Sequence, residues 1–396
     1  MLAPKYTRIV AGAGPAGVAA VGALLHFRPN DKIAWVDPQF SGGRLSKYYR
    51  DVSSNTKVKL FLTYAEALKP FKEVIESTPK PNAITALRDL EQEKGCKLSF
   101  AADAVEMLGK GLRRHQNVDT ILGQVNSAEW KDNAWTLKPS SDNSTNSPSS
   151  LTAKSIVLCT GSSPLEVPLP TKKPTLINLD PALDRKQLRD HLPTGKPTTI
   201  GIVGTSHSAV VIIMNLVDLL RSTHPHIKIK WFVRSDLLYA EEQPDGRIVR
   251  DNTGLKQAAA DFAREHLEPG KLEASPILGK VLTRVHCPDV TDPKMAPELD
   301  KCDYIIQAIG YKRDPLPHLT VNGKKMQNVG WDPETGRLLN QNDQDSKIPQ
   351  AYGAGIAFPR RVTDPLGTEE SAVGMWKFMK HLKEGLVPAL LDEKTA

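Results

Sequence analysis

The sequence predicts an α/β fold of two parallel-sheet domains, the second inserted into the first, and two observations carry that prediction. One order of elements occurs twice, at residues 8–27 and 198–220: an apolar strand, a Gly/Ser-rich turn and a helix of small and apolar residues. A second strand follows each, KIAWVD ending at Asp37 and IKIKWFVRS ending at Arg234 and Ser235, so each is the opening βαβ of a parallel sheet. The 396 residues suffice for two domains with buried cores, and no repeat of solenoid period competes with this reading.

Composition narrows the function classes. Lys and Arg exceed Asp and Glu by 52 to 45, a net charge of +7. No Lys/Arg block or basic amphipathic helix accompanies that excess, so no nucleic-acid partner is expected. The four cysteines, Cys96, Cys159, Cys287 and Cys302, form no C-x-x-C pair. This argues against a redox dithiol of the usual spacing and against a zinc knuckle, and sparse cysteine fits a reducing compartment. MLAPKYTRIV runs straight into a strand without a charged-then-apolar leader, and no apolar run approaches the ~20 residues of a membrane span. The expectation is a soluble, cytoplasmic protein, in which the sequon at Asn143 is a chance match.

Taken in order, Gly12-Ala13-Gly14-Pro15-Ala16-Gly17 stands after a strand and opens a helix, as a dinucleotide fingerprint requires. Gly12 permits the tight turn, Gly14 admits a pyrophosphate, Gly17 lets helix and strand pack, and Asp37 is placed to accept from a ribose. VSSNTKVKLF reads as a polar turn followed by a strand-like apolar tail. Residues 83–94 read as an amphipathic helix, and CKLSFAADAVEML and AWTLKP as short strands. Residues 139–150 form a low-complexity loop. SIVLCTGSSP is a buried strand turning at Thr160 and Gly161, and PLEVPLP reads as a linker.

The second fingerprint, Gly204-Thr205-Ser206-His207-Ser208-Ala209, is degenerate, with Ser206 and Ala209 where glycines would stand. Small residues keep the close approach, and Arg234 with Ser235 at the strand end suits a 2′-phosphate, which favours NADPH over NADH. His207 is expected to line the dinucleotide. DYIIQAIGYKR is a second strand-then-glycine crossing at Gly310 and Tyr311. TEESAVGMWKFMKHLKEG reads as a helix with Thr368 as its N-cap. The expected division is residues 1–165 with 305–396 for one domain and 166–304 for the other.

Two dinucleotide sites in one chain are read most economically as one flavin and one nicotinamide. The glycine motif at 12–17, GGRL at 42–45, CTGSSP at 159–164, the second motif at 204–209, QAIGY at 307–311 and YGAGIAFP at 352–359 resemble the two-dinucleotide-binding flavoproteins. The resemblance covers most of the chain. It implies two Rossmann-like domains, the NADPH domain inserted into the FAD domain, with Gly43, Arg44, Gly355, Ile356 and Thr368 also near FAD. GGRL followed by VSSNTKV resembles the class B flavin monooxygenases, and RSDLLY and GIAFP their N-hydroxylating branch. That implies NADPH reducing FAD, oxygen adding at the flavin C4a to give a hydroperoxyflavin, and Asn55 as the catalytic contact. A small-molecule substrate and O2 would then be the partners. The Baeyer–Villiger fingerprint is absent, and Gly355 precedes Ile356 where related reductases carry Asp. An NADPH:acceptor reductase passing electrons to a quinone, thiol or protein therefore stands as the alternative, and a flavin-bearing binding protein as a third.

Overall fold

The computed structural model describes residues 4–140 and 150–392. The core of the low-complexity stretch and the Asn143 sequon lie outside the described residues.

In the first sheet the strand Tyr6–Ala11 is central, parallel to Ile33–Asp37 on one side and to Leu151–Leu158 on the other. Val118–Leu122 extends the first side. Leu151–Leu158 is shared along its far edge. Its first half pairs antiparallel with Ala134–Ser140, and its second half pairs parallel with Ser346–Gly353 from the end of the chain. Asp132 and Asn133 both take left-handed backbone between paired Lys131 and Ala134, the two-residue hairpin geometry that matches strand twist. The helix Pro15–Phe27 buries every residue from Gly17 to Leu25, so its fingerprint end is held by packing on several sides.

The second sheet is parallel throughout. Thr198–Val203 lies between Ile227–Val233 and Tyr304–Gln307, with Leu282–His286 and Thr175–Leu176 outside them. The expected division at 304/305 thus falls inside the strand Tyr304–Gln307. Ser162–Pro164 and Tyr311–Arg313, the two crossings between domains, pair antiparallel as a short ribbon.

Four local expectations are corrected. The tail of VSSNTKVKLF is the helix Val58–Ala65, with Val58, Phe61, Tyr64 and Ala65 on one buried face at helical spacing. CKLSFAADAVEML forms most of the helix Leu98–Leu112, where Ala101, Val105, Leu108 and Leu112 repeat at the same spacing. The helix expected over 83–94 stops as Ala83–Arg88, opened by a capping box on Asn82 and closed where Gln92 donates to the Leu87 and Leu90 carbonyls. Thr368 is no helix cap. Asp364 turns the chain, its Oδ1 accepting from the Leu366 and Thr368 amides (2.9 and 2.8 Å), and Glu369–Ala372 returns antiparallel to Arg360–Thr363. The helix begins later, as Met375–His381 after Gly374.

That returning strand meets the second domain. Glu370, 2% exposed, accepts from the Asn252 backbone amide (3.0 Å), the Asn252 side chain (3.0 Å) and the Thr253 hydroxyl (2.5 Å). Lys377 pairs with Asp251 (2.5 Å) and donates to Asn252 Oδ1 (2.5 Å). Burial drives the Lys377 ammonium below its ordinary value, with Asp251 opposing. Removing the Glu370 carboxylate strands three donors of the Asn252–Thr253 turn in the second domain. We expect Glu370→Ala to cost about 3 kcal/mol in denaturant unfolding; a loss below about 1 kcal/mol would show that this contact contributes little.

Candidate functional site

The first glycine loop is built by contact as much as by conformation. Gly12 has φ +108°, and a methyl group on it would sit 2.3 Å from the Cys159 carbonyl oxygen. One on Gly17 would sit 1.9 Å from the Gly12 carbonyl oxygen. Around this pair other turns converge: Gly43 would meet Gly14 Cα at 3.0 Å, and Gly355 would meet Ala16 Cβ at 2.5 Å. Gly14 itself has room, its nearest neighbours being Gly42 and Gly43 at about 4 Å. Pro15 opens the helix, no side chain caps it, and no acid stands in its first turn. The Ala16 and Gly17 amides therefore have no intrahelical acceptor and carry the positive end of the helix dipole.

Asp37 ties this loop to the strand end. Its Oδ2 accepts from the Ala13 amide (2.7 Å) and its Oδ1 from Gln39 and Phe40 (2.8 and 2.6 Å). A carboxylate offers about four lone-pair directions, which leaves acceptor capacity for a ribose. Thr160 Oγ1 and Ser46 Oγ nearby in sequence to Gly161 and Gly43 are buried without a partner. An uncapped helix end, a glycine gap and orphaned hydroxyls fit a dinucleotide.

The second loop repeats the first bond for bond. Gly12 donates to the Val36 carbonyl (2.8 Å), and Gly204 to that of Phe232 (3.0 Å). Trp35 Nε1 donates to the Gly12 carbonyl (2.8 Å), and Trp231 Nε1 to that of Gly204 (2.7 Å). A methyl on Gly204 would lie 2.3 Å from the Ala308 carbonyl, matching Gly12 and Cys159. Ser206 donates to that same carbonyl (3.3 Å), and the helix His207–Ser222 begins uncapped. In this register Val233 takes the place of Asp37. Arg234 and Ser235 follow it, both exposed, and Arg234 has no acidic partner among the described residues.

Between the loops lies the junction. Asn55 is exposed at the tip of a pinned turn, its Oδ1 accepting from Thr56 Oγ1 (3.1 Å). The turn is held by Ser54, whose amide donates to Cys96 (2.8 Å) and whose hydroxyl donates to Thr56 (2.7 Å). His207 Nε2 stands 3.3 Å from the Ser53 carbonyl, and its Nδ1 is buried without a partner. A carbonyl accepts, so Nε2 carries the hydrogen and Nδ1 the lone pair.

Arg44, expected at the first cradle, turns instead to Asp180 of the second domain. Asp180 also accepts from the Tyr49 hydroxyl (2.7 Å). Burial pulls the Arg44 guanidinium down, but Tyr49 and Asp180 outweigh it and its value rises. Tyr311 opens the crossing strand Tyr311–Arg313. Gly310 (φ +108°) frees the turn before it. Gly161 (φ +82°) makes the matching turn at the first crossing. Thr368 sits in its hairpin turn, and Ile356 follows Gly355 beside Ala16. Sequence reasoning missed Asp180 and Tyr49. NLDP does signal a helix start, which Asn178 caps, but nothing in it names a partner 136 residues away.

Comparison with known proteins agrees with this architecture. The family described as pyridine nucleotide-disulphide oxidoreductase matches residues 6–268. Monooxygenase AgnR1 of Paecilomyces divaricatus is 45% identical over 390 residues, covering 97% of this chain and 98% of that protein. Among solved structures, ornithine N-hydroxylase of Kutzneria sp. 744 with reduced FAD, NADP+ and L-ornithine aligns with a TM-score of 0.64 at 15% identity. That alignment covers 98% of this chain and 99% of the other. Bacillithiol disulfide reductase of Staphylococcus aureus aligns at 0.55 and 12% identity, over 98% and 99%. At such identities these two show the fold.

The His207 geometry sets a titration. Burial holds its imidazole below the ordinary value, Lys256 adding to this and the Ser53 carbonyl opposing. A base whose folded value is lowered contributes full stability above the unfolded value of ~6.5 and loses it as pH falls toward the folded one. Two-dimensional NMR of the imidazole is expected to show a neutral Nε2–H tautomer at pH 6.5. A midpoint at or above ~6.5 would contradict it.

Proposed function

The chain belongs to the pyridine nucleotide-disulphide oxidoreductase family, and from that premise we propose that it is an FAD-containing, NADPH-dependent monooxygenase acting on a small molecule. The observation that carries this is the pair of bond-for-bond equivalent cradles, one with an acid at the strand end and one without, beside a junction that exposes Asn55. The 45% identical relative bearing the name monooxygenase supports oxygen as the acceptor. Against a dithiol mechanism stand the four dispersed cysteines, all unpaired, with the buried Cys159 thiol pushed up to about 12 by burial.

When bound, FAD would supply hydride acceptance from NADPH and activation of O2. The chain's own part is binding, orientation and exclusion of water. The uncapped amides of Ala16 and Gly17 would hold the FAD pyrophosphate, with Asp37 on the ribose. Gly204, Thr205, Ser206 and Ser208 would hold the second dinucleotide, and Arg234 with Ser235 a 2′-phosphate. Asn55 presents its amide from a turn that Ser54 keeps rigid, which suits a polar contact at the reacting end. The Glu370 and Asp180 contacts tie the two domains together across the junction. No helix among the described residues is long and apolar enough to cross a membrane. The unpaired cysteines suit a reducing compartment, and we place the protein in the cytoplasm.

The test is anaerobic reduction of the purified yellow protein by NADPH, followed by mixing with oxygenated buffer. A transient flavin–oxygen adduct, seen by stopped-flow absorbance, is expected. Prompt reoxidation with stoichiometric peroxide and no adduct would favour the NADPH:acceptor reductase, and absence of flavin would remove both. Asn55→Ala is expected to retain reduction by NADPH and to shorten the adduct's life. Arg234→Ala should raise KM for NADPH about 10- to 100-fold, the worth of a charge-assisted hydrogen bond, while leaving NADH nearly unchanged. Equal effects on both coenzymes would remove the 2′-phosphate assignment.

A further inference from the structure

The turn that carries Asn55 belongs to the first domain by sequence and to the second by contact. Val52 is buried in the apolar core of the second domain, in one cluster with Ala209, Leu255 and Ala259. The Ser53 carbonyl, next along, accepts from His207, the first residue of the helix His207–Ser222 (3.3 Å). Behind the turn runs the segment 92–97. The Ser54 amide donates to the Cys96 carbonyl (2.8 Å), and the Cys96 amide donates to the Ser54 hydroxyl (3.1 Å). That segment is gripped in turn by Gln257 of the second domain, whose Oε1 accepts from the Gly95 amide (2.9 Å).

Two features show that this grip is specific. Gln257, the first residue of the helix Gln257–His266, has φ +52°, left-handed backbone that a residue with a side chain adopts only when its surroundings impose it. Gly95 leaves no room for more: a methyl group on it would lie 2.8 Å from the Ser54 carbonyl oxygen and 3.4 Å from Gln257 Cβ. The helices that begin at His207 and Gln257 bury their apolar faces in the same cluster as Val52, so all three contacts stand on one packed base. Lys57 also reaches Glu242 of the second domain (3.9 Å), but that pair is exposed and adds little. We infer that the second domain, rather than the domain that encodes it, positions Asn55, with Val52, His207 and Gln257 as positioning residues. His207 directly follows Ser206, so the turn is set by the helix start that would hold the coenzyme. The inference deepens the proposed function and rests on it for the role of Asn55.

The experiment compares the FAD-loaded full chain with Gln257→Gly and Gln257→Glu. The glycine removes the acceptor while easing the left-handed backbone, so the contact is lost without a strained residue taking its place. The glutamate keeps an acceptor within reach of Gly95. Hydrogen–deuterium exchange of the 52–57 amides needs no turnover. It should speed about 3- to 10-fold in Gln257→Gly, the worth of one hydrogen bond, and return toward the wild-type rate in Gln257→Glu. In stopped flow, reduction by NADPH should be unchanged in Gln257→Gly and the adduct's life shortened. Combined with Asn55→Ala, Gln257→Gly should shorten that life no further, because a misplaced amide and an absent one have the same effect. Unchanged exchange or an unchanged adduct life in Gln257→Gly would overturn the inference, as would a shortening that adds in full to that of Asn55→Ala. A wild type that binds FAD and is reduced by NADPH but forms no adduct would overturn the proposed function instead, and the exchange rates would then decide the positioning alone.

Discussion

The approach of a glycine to a carbonyl at the end of a parallel strand is the contact on which the molecule depends. Gly12 against Cys159 and Gly204 against Ala308 leave no space for a methyl group, each at 2.3 Å. Because the partner carbonyl belongs to the strand that leaves each sheet toward the other domain, this contact fixes both the cradle and the crossing. Trp35 and Trp231, fully buried, hold the opposite side of the same glycine through its carbonyl. The glycine is thus clamped between a strand exit and an indole, and the helix that follows inherits its direction.

The two cradles differ where their ligands would differ. Asp37 engages the Ala13 amide and so places a negative charge at the end of the second strand. Val233 stands at that point in the other unit, buried among aliphatic residues, and no carboxylate opposes a phosphate there. Arg234, one residue on, is exposed instead. Ala209 replaces Gly17, whose own methyl would come within 1.9 Å of the preceding loop.

The strand–glycine–helix units were legible because local sterics dictate them within twenty residues. The helices Val58–Ala65 and Leu98–Leu112 were not read as such, since short windows of VKLF and KLSF satisfy a two-residue alternation as well as a helical one. Thr368 was misplaced for a related reason: a Thr before two acids resembles a helix start. The Asp-Pro-Leu-Gly turn before it, with Asp364 gathering amides, closes a hairpin instead. The junction was illegible. Arg44 with Asp180 and Glu370 with Asn252 are 136 and 118 residues apart, and neither spacing has a period.

Those long-range pairs also explain why the junction is polar. An apolar junction of equal area would hold the domains together more cheaply, because desolvating Arg44, Asp180, Lys377 and Glu370 offsets much of what their pairing gains. What directional bonds add is a single orientation. Glu370 takes three donors from one turn, and Asp180 takes a guanidinium from one helix and a phenol from the residue that ends it, so sliding by a residue would strand charges on both sides. Two cradles that must present their ligands to each other across a gap need orientation more than adhesion. A polar junction in which Arg44, Asp180, Lys377 and Glu370 are all partnered supplies it.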